Sequence, residues 1–355
     1  MHPTFRRTLS WLFASAIAWG GSAAAAAPPV DVQGNANIPA FTVPFSGYAS
    51  PEAHRMFQRM LAQGRHAPPL DGPVAARRAY YDKINAARAE LMQRLYPVKI
   101  EARTLGGVPV QVVTPARGIA PDQEHRVLVN LHGGAFLWGA GAGGLVESIP
   151  VAGVAGIEVV TVDYRQGPEH VFPAASEDVA AVYRELLKKY PAANIGIYGC
   201  SAGGGLTAEA VAWFVRHGLP VPGAIGVFCA SLVDSGGDSA YIAPVLDGEP
   251  PTTSPLKLID LPYFKGASAN DPLVFPGNSP GLLKRFPPTL LITGTRDFAM
   301  SSALQSQRLL SAAGVDAELH VWDGMWHSFF SDPGMPESKE AYAVMARFFD
   351  RQLGR

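Results

Sequence analysis

The sequence predicts an α/β chain built on a mostly parallel sheet of eight strands, with helices on both faces. Three observations carry that expectation. From Val98 onward, short apolar runs alternate with longer amphipathic ones, the pattern of strand–helix–strand units. Several of the short runs, such as Val127-Leu128-Val129-Asn130-Leu131, are apolar almost throughout, as parallel strands buried on both sides are. Finally, Gly199-Cys200-Ser201-Ala202-Gly203 falls between a strand-like run and a helix-like one, where a tight strained turn needs small neighbours.

Taken in order, residues 1–27 read as a cleavable leader. Arg6-Arg7 gives the positive start, Leu9 to Trp19 the apolar centre and Ala23 to Ala27 the small residues of a cleavage site. The apolar run is shorter than the roughly 20 residues a spanning helix needs. The expected destination is periplasmic or secreted, with a twin-arginine route as one variant. Pro28 to Pro51, rich in proline, glycine and asparagine, reads as an extended arm or linker. Helices are predicted over Pro51–Gln63 and Pro73–Leu95, each with proline at its start, where a missing N–H costs nothing. Met56, Met60 and Leu61 make an apolar stripe on the first, read as core packing with a substrate channel as the alternative.

Strands Val98–Arg103 and Val108–Val113 form a hairpin across Gly106-Gly107. Strand Arg126–Leu131, a glycine-rich loop and a helix to about Gly153 follow. Next come strand Ile157–Tyr164, helix Pro173–Tyr190, strand Asn194–Gly199 with the helix that contains Leu206–Trp213, and strand Ala224–Cys229. The alternation then stops for about 50 residues, too long for an unstructured loop in a compact domain, so an insertion that covers something is predicted. Strand Thr289–Thr293, helix Ser302–Ala313, strand Ala317–Trp322 and helix Ser338–Leu353 complete the chain.

Composition removes several function classes. With 48% hydrophobic and 17% charged residues the chain is globular. A net charge of −1 and no basic run beyond two residues leave no nucleic-acid footprint. Two cysteines, Cys200 and Cys229, are too few for a disulfide scaffold or a cysteine zinc site. Two reduced buried thiols are expected, with a bridge between them as the alternative.

Ser201 needs a base to become a nucleophile. His327, downstream and just after the last strand, is the candidate. Asp297, at another strand end between them, is the candidate acid, with Asp323 and Asp332 as rivals. Asp297 would hold the imidazole tautomer and stabilise the imidazolium. Backbone N–H groups for an oxyanion are expected from Ala202 and from the loop His132-Gly133-Gly134-Ala135-Phe136, through Gly133 and Gly134. His132 reads as a structural support of that loop. Metal binding through His132, His170, His320 and His327 is not expected, because their spacings match no zinc site. Phe136, Trp138, Trp326 and Phe329 flank these motifs and are expected to line an apolar pocket, with core packing as the alternative for each.

These residues resemble the hormone-sensitive-lipase-like (bacterial family IV) esterases. The resemblance rests on His132-Gly133-Gly134-Ala135-Phe136, Asp163-Tyr164-Arg165, Pro168-Glu169-His170, Gly199-x-Ser201-Ala202-Gly203-Gly204, Asp271-Pro272-Leu273-Val274 and Gly324-Met325-x-His327. It runs from about Val98 to Leu353. It implies the α/β-hydrolase fold and a helical cap built from residues 28–97 and an insertion at about 235–285, on a catalytic domain of 98–355. It also implies hydrolysis of a small-molecule carboxylic ester, short to medium in acyl chain, with no cofactor or metal. The triad carries over as Ser201, Asp297 and His327. Two departures stand out: Cys200 replaces the family's usual aspartate, which can anchor neighbouring loops, and Ala135 replaces a third glycine.

The function expected is therefore a serine carboxylesterase working through an acyl-enzyme. A lactonase, a deacetylase or an acyltransferase would use the same triad. A non-catalytic ligand-binding protein on this fold is the contrasting class; the retained histidine argues against it. The sequence leaves oligomeric state open.

Overall fold

The computed structural model describes residues 30, 34–36, 38, 40–64, 66–69 and 72–354. The leader predicted over residues 1–27 lies outside them. Two units are distinguished, Met1–Pro44 and Phe45–Arg355. In the first, an isolated bridge pairs Val30 with Ala36. Everything below concerns the second.

Eight strands form one sheet: β1 (Val98–Leu105), β2 (Val108–Pro115), β3 (Val127–Leu131), β4 (Val159–Val162), β5 (Ile195–Cys200), β6 (Ala224–Phe228), β7 (Thr289–Arg296) and β8 (Ala317–Trp326). Their order is β1-β2-β4-β3-β5-β6-β7-β8. β2 pairs antiparallel with β1 and β4, and from β4 to β8 every pairing is parallel. The β1–β2 turn is Gly106-Gly107 with φ of +58° and +84°, two left-handed residues in succession that only glycine takes without strain.

Nine helices are described: α1 (Pro51–Gly64), α2 (Val74–Leu95), α3 (Ala142–Ala155), α4 (Ala174–Leu186), α5 (Ala202–Arg216), α6 (Asp238–Leu246), α7 (Pro280–Leu283), α8 (Met300–Ala312) and α9 (Pro336–Gln352). The period-2 alternation of the strands feeds two cores. Val127, Val129 and Leu131 pack on one face with Val179, Val211 and Phe214 from α4 and α5. Leu128 packs on the other with Ile149, Met345 and Phe349 from α3 and α9. Strands buried on both faces are thus apolar at nearly every position, which is why they were legible.

Differences from expectation lie at the edges of elements. β4 is shorter than Ile157–Tyr164 at both ends; past it, Asp163 Oδ1 accepts the Gly141 amide at 2.7 Å and Tyr164 Oη donates to His132 O. β8 runs four residues past Trp322, across a register shift between Gly294 and Arg296. The insertion after β6 contains α6, three 3₁₀ turns and α7, so it is folded rather than loose. Met56, Met60 and Leu61 pack against the core on the α3/α9 face, which favours core packing over the channel alternative.

Candidate active site

The site grows out of the C-terminal ends of β3, β5, β7 and β8. Ser201 sits between β5 and α5 with φ 57° and ψ −123°, a backbone state that costs a non-glycine residue about 1–3 kcal/mol. Its surroundings enforce that state. The Ser201 amide donates to Phe228 O at 2.8 Å. A Cβ added at Gly203 would fall 2.7 Å from the His132 carbonyl, and one at Gly204 2.6 Å from the Ala230 methyl. The small residues flanking the serine are there because α5 is pressed against neighbouring backbone.

The three candidate side chains, separated by up to 126 positions, form one hydrogen-bonded line. His327 Nε2 is 2.8 Å from Ser201 Oγ and Nδ1 is 2.8 Å from Asp297 Oδ1. Asp297 is fully buried and accepts further bonds from the Ala299 amide (2.9 Å) and Thr293 Oγ1 (2.9 Å). Burial pushes its carboxyl up, but the facing imidazole and these hydrogen bonds outweigh it and hold it below the usual carboxylate range. An ionised Asp297 selects the tautomer with the proton on Nδ1, leaving Nε2 to accept from Ser201. The Phe298 ring stacks on the imidazole at 4.5 Å. The rival acids are engaged elsewhere: Asp323 accepts from Ser46 and Thr295, and Asp332 pairs with Arg88 at 3.1 Å.

The glycine loop requires one correction. Gly133 was expected to offer its N–H to an oxyanion, but that N–H donates to Glu147 Oε1 at 2.8 Å. Glycine is needed there because a Cβ would lie 2.9 Å from the Cys200 carbonyl. Among the described residues no partner is found for the amides of Gly134, Ala135 or Ala202, and all three residues border the space beside Ser201. Ala135 holds φ 52°, so the left-handed state that its glycine-to-alanine departure makes costly, by about 1–2 kcal/mol, is adopted. His132 supports the loop: its Nδ1 donates to Gly133 O at 2.8 Å, its carbonyl accepts from Tyr164 Oη at 2.7 Å, and its ring stacks on Tyr164 at 4.3 Å. Burial lowers its pKa, so the ring is neutral.

Glu147, on α3, escaped the sequence reading. Partly buried, it accepts from the Gly133 amide through Oε1, and from Asn130 Nδ2 (3.0 Å) and the Cys200 amide (3.2 Å) through Oε2. It thereby ties the glycine loop to the strand end that carries Ser201. Burial raises its pKa to about 7 against those three hydrogen bonds. Its own stretch, Leu145-Val146-Glu147-Ser148, carries no motif that would mark it. Cys200 and Cys229 are both free and buried. Cys200 Sγ lies 2.8 Å from Ser328 Oγ, and Cys229 Sγ accepts the Ser328 amide at 3.2 Å. Cys229, Asp297 and His327 have ligand-type atoms within 4.8 Å of one another, but Asp297 and His327 are already paired and burial holds the Cys229 thiol protonated.

Two cavities open from Ser201. One is lined by Phe136, Leu261, Phe264 and Phe275, the other by Tyr81, Asn85, Arg88 and Trp138. Phe136 and Trp138 thus stand where the pocket was expected, Phe136 stacked on Tyr263 at 4.6 Å and Trp138 on Tyr81 at 4.8 Å. Trp326 and Phe329 do not. Both are buried in the core of the α3/α9 face, Trp326 against Phe57 of α1 and Phe329 against Trp322. The left-handed turn at Ser328 (φ 58°) separates the direction of His327 from that of its neighbours.

A mostly parallel eight-stranded sheet in this order, with a strained serine between a central strand and its helix, defines the α/β-hydrolase class. A family model described as alpha/beta hydrolase fold matches residues 128–331. An acetyl-hydrolase of Streptomyces hygroscopicus is 29% identical over 314 residues, covering 86% of this chain and 98% of that protein. A carboxylesterase of Mycobacterium tuberculosis is 31% identical over 282 residues, 70% of this chain and 82% of that one. The crystal structure of an esterase from the bacterial hormone-sensitive lipase family aligns with a TM-score of 0.74 at 29% identity, covering 86% of this chain and 99% of that chain. The chain belongs to the α/β-hydrolase family, in its hormone-sensitive-lipase-like group.

Proposed function

We propose that the chain is a serine carboxylesterase acting on short- to medium-chain esters. The observation that carries this reading is the continuous line Ser201 Oγ–His327 Nε2 and His327 Nδ1–Asp297 Oδ1, each link 2.8 Å, beside a cavity. His327 takes the Ser201 proton as Oγ attacks the ester carbonyl. The carbonyl π electrons move to oxygen, which rests on the amides of Gly134, Ala135 and Ala202. His327 then protonates the departing alcohol oxygen, and the acyl-enzyme remains. A water deprotonated by His327 attacks it, and Ser201 leaves with the proton returned. Each oxyanion donor is worth roughly 10²–10³ in rate in comparable sites.

We place the acyl group in the cavity along α5, whose lining includes Leu261, Phe264 and Phe275 of the insertion. That apolar lining supports short to medium chains and supports reading the insertion as a cap. The leader over residues 1–27 supports export to the periplasm or medium, which sequencing the N-terminus of the exported protein would test. Ser201→Ala should abolish hydrolysis of ethyl and p-nitrophenyl esters while the circular dichroism spectrum stays unchanged. Turnover that persists in the purified variant would remove the assignment.

A further inference from the structure

The cavity along α5 is apolar along most of its wall, with Phe136, Ala230, Leu261, Phe264, Val274 and Phe275 contributing. Glu209 breaks it. Ser201, Gly205 and Glu209 are spaced by four, so they share one side of α5, and all three line the cavity. Gly205 leaves the passage open: an added Cβ would meet nothing nearer than the Phe136 ring, at 4.0 Å. Glu209 is 2% exposed, and its Oε2 is completely buried without a hydrogen-bond partner among the described residues. Two phenols stand near enough to couple to it, Tyr164 and Tyr263. Both hold other partners: Tyr164 Oη donates to His132 O at 2.7 Å, and Tyr263 Oη accepts the Ala175 amide at 3.0 Å.

An unpartnered carboxyl in an apolar wall is destabilising, and a leucine of similar size would avoid that cost. Eight helical residues rise about 12 Å, and a helical side chain leans back toward the N-terminus. The carboxyl therefore stands over the Gly205 turn, on the path of a chain leaving the nucleophile.

We infer that Glu209 is a specificity determinant of the acyl site, receiving a neutral hydroxyl or keto oxygen at about the fifth or sixth carbon of the substrate's acyl chain. This rests on the esterase reading above. Burial pushes the carboxyl well above its ordinary range with no cation to oppose it, so Glu209 is protonated. It then offers one O–H donor and an acceptor oxygen. A hydroxyl or ketone complements that pair without charge, whereas an ammonium would require two desolvated ions.

The test compares kcat/KM for ethyl hexanoate, ethyl 6-hydroxyhexanoate and ethyl 5-oxohexanoate by titration of released acid, for the wild type, Glu209→Gln and Glu209→Leu. The wild type should favour at least one oxygenated ester by about tenfold. Glu209→Gln, which keeps a donor and an acceptor, should retain the preference, and Glu209→Leu should bring the ratio to one or below. A wild-type ratio below threefold overturns the inference, and does so even if Glu209→Leu fails to fold. So does a ratio unchanged in a folded Glu209→Leu, or a stronger preference for ethyl 6-aminohexanoate. Ethyl acetate, too short to reach Glu209, separates the two readings. Hydrolysis of acetate with no oxygen preference defeats this inference alone, and absence of hydrolysis of every ester, acetate and the hexanoates alike, defeats the esterase reading itself.

Discussion

Glu147 joins two segments that the chain keeps far apart, the loop at Gly133 and the strand end at Cys200. Its two oxygens do different work: Oε1 holds the loop whose next two amides stand unpartnered among the described residues beside Ser201, and Oε2 holds the residue before it. In Glu147→Gln one of these positions becomes an amide NH₂ facing a donor, so one tie is lost. The prediction is that kcat falls by about tenfold with KM little changed, because small displacements of donors cost rate rather than ground-state binding. Steady-state kinetics on an ethyl ester check it; an unchanged kcat would show that the loop holds its position without the carboxylate. At this scale Ser201, Asp297 and His327 were legible because each is a reactive type placed just after a strand. The fate of the Gly133 amide was not legible, since it depends on an acid fourteen residues away on another element.

At the scale of elements, β8 ends in a divergence that spacing along the chain could not show. His327 leaves the strand toward Ser201, while Trp326 and Phe329 turn into the core between α1 and α9. Aromatic residues beside a candidate base look the same in sequence whether they line a pocket or anchor the loop from behind. Trp326→Ala is therefore expected to lower stability by about 3–5 kcal/mol, the usual range for deleting a buried tryptophan side chain. Denaturant titration measures that loss. The relative rates on ethyl acetate and ethyl hexanoate should not move, and a changed chain-length preference would return Trp326 to the pocket. The α1 stripe of Met56, Met60 and Leu61 belongs to the same packing.

Across the whole molecule, carboxyls raised by desolvation set the response to pH: Glu209 and Asp332, and with them Glu147 and Asp247. Burial raises Glu147 to about 7 from 4.5, and raises Asp247 to about 7 from 3.8 against the opposing charge of Arg296. In each the folded pKa exceeds the unfolded one, so the folded state keeps protons that the unfolded chain releases. Stability from this source is complete below about pH 4 and declines as pH rises to about 7. Glu169, held at about 2 by Arg78, works in the opposite direction but only below about pH 4.5, outside that window. Burial lowers the pKa of His132 and so offsets one of these protons below about pH 6.5, but the several raised carboxyls outweigh it; melting temperature should therefore fall between pH 5 and pH 8 by several degrees, and less steeply in Glu147→Gln. Thermal melts in matched buffers test this; a flat or rising profile would mean these carboxyls ionise freely when folded.

By itself the sequence determined the sheet, the order of its units and the three reactive side chains, because these depend on periodicity and on residue types at strand ends, which are local properties. Tertiary structure decided that the Gly133 amide is taken by Glu147, which aromatic rings touch the cavity and which carboxyl stands unpartnered beside it. Those outcomes turn on who is within about 3 Å of whom across the fold, and distance between remote segments is not a property any one stretch of chain possesses.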